Sequence, residues 1–266
     1  MVITIFDVKL LSSNDSHGTG LASVSPSPTG HQLLFTFSDN TLRLKVDNSS
    51  PVVLEGARSP AAFSPEGSMI VSAYLDYALQ LWDTKNTKAI GKPLVGHRKR
   101  ITAIAFSPSG SRLISASDDW TIRIWSSTYE GGELLRLQAY ADIRLISMSS
   151  DKSRIICVSR DDIVQTLNAN TGIAVGQPSQ SSWIWAEFSP DGCGIIWIST
   201  DGQSRSTECR TGRITEHSPA FPTQRFTEVV FSPDKTKFIS ISRRDFIDFS
   251  DGTGPCDSPS TSSAGY

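Results

Sequence analysis

The sequence has no uninterrupted run of about 18 apolar residues, so no transmembrane helix is expected. Its opening stretch, MVITIFDVKLLSS, lacks a basic region followed by an apolar segment of signal-peptide length, which argues against secretion. Cysteine is scarce: Cys157, Cys193, Cys209 and Cys256 lie far apart and form no CxxC pair. Free thiols in a reducing compartment are therefore expected. The histidines, His17, His31, His97 and His217, show no HxxxH-type metal spacing, and no cysteine has a histidine nearby in sequence. No metal or other cofactor is expected. The phosphate-cradling pattern GxxxxGK[ST] is missing as well. Charge is balanced, with 25 Lys+Arg against 27 Asp+Glu and a net charge of -2, so nothing draws the whole chain to nucleic acid or to an anionic membrane. These absences predict a soluble protein of the cytoplasm, with the nucleus left open.

What the chain does contain is a repeat. With 266 residues, 38% of them hydrophobic, it can build one large domain or two small ones. The anchors SPTG (27–30), FSPEG (63–67), FSPSG (106–110), MSSDK (148–152), FSPDG (188–192) and FSPDK (231–235) recur at steps of 37 to 43 residues. Eleven residues after the second anchor position of each unit stand Asp39, Asp76, Asp119, Asp161 and Asp201; the sixth unit has Arg244. Six residues beyond that acid come Trp82 and Trp125, replaced elsewhere by Lys45, Leu167, Thr207 and Ser250.

Between anchor and acid lie the β-rich runs QLLFTF, MIVSAY, RLISAS, RIICVS, GIIWIS and KFISIS. After the acid come TLRLKV, ALQLWD, TIRIWS and IVQTLN. Each unit reads as strand, turn, strand, turn, strand, with no room for a helix. Several short strands every 40 or so residues predict an all-β propeller: six repeats over residues 1–250, with a partial one at the N-terminus where Ile3–Asp7 matches a third strand. Either that segment closes a six-bladed ring, or the array belongs to a longer, seven-bladed one. Residues 251–266, rich in Gly, Ser, Pro and Thr, predict a disordered tail.

The pattern GH…SPxG…SxxxD…W resembles the WD40 repeat. It is complete only in the third unit, with Gly96-His97, FSPSG, Ser115, Asp119 and Trp125. The resemblance implies a ring of four-stranded blades whose turn and link loops bind other proteins. It also implies that His97, Ser115, Asp119 and Trp125 form a hydrogen-bonded structural tetrad across the blade. The second unit keeps Ser72, Asp76 and Trp82 but has Ala57 for His; the fourth keeps Asp161 but has Cys157 for Ser and Leu167 for Trp. Because each repeat leans on its neighbours, the fourth to sixth units are expected to exchange amide hydrogen faster than the second and third. Residues 91–110 further resemble the WD40 arrays of fungal NACHT-type signalling ATPases, whose nucleotide-binding part would lie outside this chain.

The turn tip of the third unit raises the question of a partner. Trp120 follows Asp118-Asp119 where a tight reversal favours Gly or Asn. Its equivalents are Asn40, Tyr77, Asp162, Gly202 and Asp245. A bulky residue at positive φ would be strained, so a type I turn that avoids it is expected. The aromatic either packs on a neighbouring loop or stands open to a partner. Arg98, Lys99 and Arg100, with Arg58 in the preceding link, set a basic cluster beside it. Tyr77, Arg98, Lys99, Arg100 and Trp120 are thus the candidate partner-binding residues, suited to acidic or phosphorylated peptides through Arg pairing and aromatic stacking.

Trp183, Trp185 and Trp197 crowd the fifth unit and suit core filling. The spacing Ser149-x-x-Lys152 falls in an anchor turn and reads as coincidence. No enzyme is expected. The alternative is a propeller hydrolase with a site at the channel mouth, which would need Glu187, Glu228 and His217 to converge in one pocket.

Overall fold

The computed structural model describes residues 20–180 apart from 48, 129–131, 140 and 150. Beyond residue 180 it describes seven strands, most of them without their side chains. The segment at 3–7, the tail after 251, and with them the closing of a ring, lie outside the described residues.

The chain folds into a series of antiparallel sheets. The first contains β1 (Leu21–Pro26), β2 (Gln32–Phe37), β3 (Thr41–Val46) and the first half of β4 (Val52–Phe63). The second half of β4 starts the next sheet, with β5 (Met69–Ala73), β6 (Leu79–Asp83) and β7 (Ala89–Leu94). The third sheet is β8 (Ile101–Phe106), β9 (Arg112–Ser117), β10 (Thr121–Ser126) and β11 (Glu133–Gln138). The fourth is β12 (Ile143–Met148), β13 (Arg154–Ser159), β14 (Ile163–Asn168) and β15 (Ala174–Gln180). The fifth is β16 (Trp183–Phe188), β17 (Gly194–Ser199), β18 (Ser204–Glu208) and β19 (Ile214–His217). A three-stranded sheet follows, of β20 (Phe226–Phe231), β21 (Lys237–Ser242) and β22 (Ile247–Asp251). The one helical element among the described residues is a 3-10 turn at Leu75–Tyr77.

Each of the first five repeats thus has a fourth strand beyond the three that the sequence suggests. The reason is edge position. β7 and β11 are mostly exposed and carry Lys92, Glu133 and Arg136, so no apolar run marks them. Charged side chains on such an edge also discourage pairing with other chains. β4 is a further departure. It is one continuous strand, pairing with β3 as far as Arg58 and with β5 from Arg58 onward. Arg58 therefore sits inside a strand and not in a link. Gly56 makes this passage at φ +82°, where a Cβ would fall 2.7 Å from the Tyr74 ring.

The Ser of each of the first four anchors closes the turn between the first and second strands. Ser107 Oγ accepts the Arg112 amide at 3.1 Å, and the Gly110 amide donates to Ser107 O at 2.8 Å, with Gly110 at φ +70°. Ser64 and Gly67 repeat the arrangement. In the fourth repeat Ser149 plays the same part, and Lys152 takes the glycine's place at φ +62°. Ser149 Oγ donates to Asp151, so the Ser149/Lys152 spacing is that of a turn.

The core lies between the sheets, in layers. Neighbouring residues on a second strand feed different layers. Leu113 packs with Leu79, Leu81 and Ile101 toward the second sheet, whereas Ile114 packs with Ile143, Ile146 and Ile155 toward the fourth. Ile155 and Cys157 face the third sheet, while Ile156 and Val158 meet Phe188 and Ile195 of the fifth. Strand side chains alternate with a period of two, so a strand covered on both faces reads as an unbroken apolar run. That is why RLISAS and RIICVS look as they do. A fully buried Leu or Ile contributes about 1.5–3 kcal/mol, so these layers are the main attraction between sheets. The same covering buries Arg123, which pairs with Glu133 and lies over the Trp125 ring. First strands follow one another in space: β4 beside β8, β8 beside β12, β12 beside β16 and β16 beside β20.

Candidate functional site

Turn tips at one end of the sheets carry the candidate residues. The third sheet holds its tip most firmly, through a network that starts at His97. His97 Nδ1 lies 3.0 Å from Asp119 Oδ2, and its Nε2 lies 2.8 Å from Ser115 Oγ. Trp125 Nε1–H donates to the same Ser115 Oγ at 2.9 Å. Ser115 has one proton and two lone pairs. It accepts from the indole and donates to Nε2, which leaves the imidazole neutral with its proton on Nδ1, facing Asp119.

Burial agrees with that tautomer, because desolvation pushes the His97 pKa below its ordinary value against the pull of Asp119. Burial opposes ionisation of Asp119 too. The Thr121 hydroxyl, the Arg98 amide and His97 outweigh it and bring the Asp119 pKa down to about 2. Gly96 suits the place beside this network, since a Cβ there would meet the Arg123 guanidinium and lie 2.9 Å from the Trp125 ring. Ser115 is fully buried, so no substrate can reach a Ser-His-Asp arrangement built on it.

The basic loop is braced against the same tip. The Arg98 amide donates to Asp119 Oδ2 at 2.9 Å, and the Ser117 hydroxyl donates to Lys99 O at 3.0 Å. The Asp118 amide donates to Arg100 O at 2.9 Å, and Arg100 Nε pairs with Asp118 Oδ2 at 3.2 Å. Arg98, Lys99 and Arg100 are all exposed. Arg98, Lys99, Arg100 and Trp120 are therefore brought together by one hairpin. Tyr77 stands at the equivalent tip of the second sheet.

Trp120 corrects the expectation of an unstrained turn. A hydrogen bond from its amide to Ser117 O, 3.1 Å long, closes the reversal, yet Trp120 itself lies at φ +64°. Asn40 and Asp162 do the same at φ +66° and +58°, whereas Tyr77 lies at φ +60° in a longer loop, between the 3-10 turn's Asp76 at φ +53° and β6. A left-handed residue after a tight turn restores the strand register of a three-residue hairpin, so the position demands it whatever the side chain. Two donors, the Ala139 amide and the Gln138 side chain, each 2.9 Å from Trp120 O, fix it there. Trp120 is 45% exposed and Tyr77 50% exposed. Neither aromatic is buried against a neighbouring loop.

The incomplete repeats behave differently. In the second sheet Trp82 Nε1–H donates to Ser72 Oγ at 3.0 Å, and the buried Ala57 fills the histidine's place. In the fourth, a cavity of about 310 Å³ opens, walled in part by Ala139, Cys157 and Leu167. These three stand where the third repeat has His97, Ser115 and Trp125. Cys157 is a free thiol, pushed by burial to about 12, so it stays protonated and inert.

The residues of the hydrolase alternative do not share a strand edge. Glu187 is on β16 and His217 on β19, at opposite edges of one four-stranded sheet. Three interstrand steps separate such edges, about 14 Å. Their side chains, and that of Glu228, lie outside the described residues, as do those of Trp183, Trp185 and Trp197. The backbone register shifts between Trp183 and Trp185.

Sequence reasoning missed Arg144 and Arg160. Arg144 Nη2 pairs with Asp162 at 3.0 Å, and its Nε donates to Ser159 O at 3.2 Å. They stand apart from the basic triplet in sequence and belong to no motif, so only the fold brings them to Arg100. Among curated proteins no match to this chain is found. Residues 89–126, which run from β7 to the end of β10 and hold the His97 network, match the family model described as WD domain, G-beta repeat, and so constitute a WD40 repeat.

Proposed function

We propose that this chain is a non-catalytic protein-interaction module that captures an acidic segment of a partner on its turn tips. WD40 repeats generally mediate protein–protein interaction and are typically non-enzymatic, which supports the class. One observation carries the reading further: Trp120 and Tyr77, both exposed, are held at positive φ on equivalent tips. Left-handed backbone costs a bulky residue about 1–3 kcal/mol, and such strain collects at functional sites. The first and fourth sheets meet the same backbone demand with the small polar Asn40 and Asp162, so the exposed aromatics set the tips of the second and third sheets apart. Beside Trp120 the braced loop presents Arg98, Lys99 and Arg100, which suit carboxylates or phosphates. The resemblance of residues 91–110 makes a sensing role in a larger cytoplasmic signalling protein the fitting context.

The test is affinity capture with wild-type chain and with the double variant Trp120→Ala, Arg100→Ala, compared by quantitative mass spectrometry. The variant should lose the acidic partners while keeping the wild-type circular dichroism spectrum. An unchanged partner set rejects the reading.

A further inference from the structure

A repeated irregularity runs through the first strands. Pairing skips one residue between Ile101 and Ala103 in β8 and between Ile143 and Leu145 in β12, and two between Arg58 and Ala61 in β4. Each skip is a β-bulge, whose extra residue is left out of the ladder and re-aimed. The extra residues are Ser59 and Pro60, Thr102, and Arg144, in three successive sheets. All of them line one pocket of about 360 Å³, together with Asn40, Arg100 and Arg160.

The chemistry of this pocket is one-sided. It has three guanidinium groups and no carboxylate among its described lining residues. Arg100 comes from the loop before β8, Arg144 from the β12 bulge and Arg160 from the β13–β14 turn. Asp118 and Asp162, on the turn tips, hold Arg100 and Arg144. Arg160 is exposed and has no ion pair among the described residues. Thr102 Oγ1 is buried with no hydrogen-bond partner among the described residues.

We propose that this pocket receives the phosphate of a phosphoserine or phosphothreonine in a partner peptide. A phosphomonoester carries close to two negative charges and three terminal acceptor oxygens, which answers three planar forks arriving from three places in the fold. A carboxylate has two oxygens and leaves one fork idle. The chain's net charge of -2 supplies no broad positive field for a nucleic-acid backbone or an anionic bilayer, so a single localised dianion fits best. Asp118, which holds Arg100, belongs to the same β9–β10 turn as Trp120, so the pocket and the aromatic tip share one hairpin end. The proposal rests on the interaction reading above and adds the anion and its seat.

The test titrates the full chain with N-acetyl-phosphoserine methylamide, N-acetyl-aspartate methylamide and inorganic phosphate, followed by NMR shifts and by calorimetry. The phosphoserine compound should bind saturably with a Kd of about 1 mM or below, and more tightly than the other two. Arg160→Gln, at an exposed position, and Arg144→Gln should each weaken it by about tenfold or more. Lys92→Ala, on the exposed edge strand β7, should leave binding of this small probe unchanged. No saturable binding up to about 10 mM, equal binding of the aspartate compound, preference for free phosphate, or indifference to Arg160→Gln would each overturn the proposal. Capture of partners that survives phosphatase treatment and Arg160→Gln, yet is lost with Trp120→Ala, would remove the phosphate seat and leave the interaction reading standing.

Discussion

Ser115 Oγ lies 2.8 Å from His97 Nε2, fully buried, and accepts a hydrogen bond from the Trp125 indole N–H on its other side. One hydroxyl thus satisfies two buried ring nitrogens. Ser115→Ala leaves both without a partner. At about 1–3 kcal/mol for each orphaned group, the variant should lose several kcal/mol in urea unfolding. Ser115→Cys would serve as a size control. A loss no greater than that of an exposed Ser→Ala change, such as Ser109→Ala, would show that the network is not a stabilising unit.

The same network makes stability depend on pH, with a definite sign. The His97 pKa is depressed in the folded state, so the unfolded chain binds the proton more readily. The stability linked to His97 is complete above 6.5, the ordinary value, and is lost as pH falls below it. Asp119 adds a second window. Its pKa moves from 3.8 to about 2, so its contribution is full above about 4 and disappears as pH falls toward 2. That shift corresponds to about 2 kcal/mol. Urea midpoints at pH 7.5, 5.5 and 2.5 should fall in two steps, and His97→Gln should abolish the step between 7.5 and 5.5. A flat profile over that interval in the wild type contradicts a buried neutral imidazole.

Two left-handed positions offer stabilisation by substitution. Lys152 occupies φ +62°, where the other described anchors carry Gly, and Trp120 occupies φ +64°. Lys152→Gly and Trp120→Gly should each raise the unfolding free energy by about 1 kcal/mol by releasing strain. Only the second should cost partner binding. Binding that survives Trp120→Gly would mean that the strain serves no partner.

The cavity of about 310 Å³ in the fourth repeat predicts both softness and a repair. Amides of β13 and β14 should exchange faster than those of β9 and β10. The triple variant Ala139→His, Cys157→Ser, Leu167→Trp restores the residues of the third repeat, with Asp161 already in place. It should slow that exchange and raise the melting temperature by several degrees. Uniform protection across the two sheets in the wild type, or a lower melting temperature in the variant, would show that the missing residues are not what limits this repeat.

By itself the sequence determined the local events. Second strands such as β9 and β13 were legible because both of their faces are buried, which leaves apolar runs, and third strands such as β3 because their apolar residues alternate with polar ones. The Ser-Pro-x-Gly turns and the His97, Ser115, Asp119 and Trp125 spacing were legible because each depends on residues a fixed distance apart on adjoining strands. Edge strands such as β7 were hidden, since one solvated side removes the apolar signal. The left-handed backbone at Trp120 was also hidden, because hairpin register imposed it against side-chain preference. The pocket of Arg100, Arg144 and Arg160 was decided by tertiary structure alone. Its members come from different sheets and strands, and a β-bulge turns Arg144 out of the ladder. No local pattern records which bulges will face one another once the sheets stack.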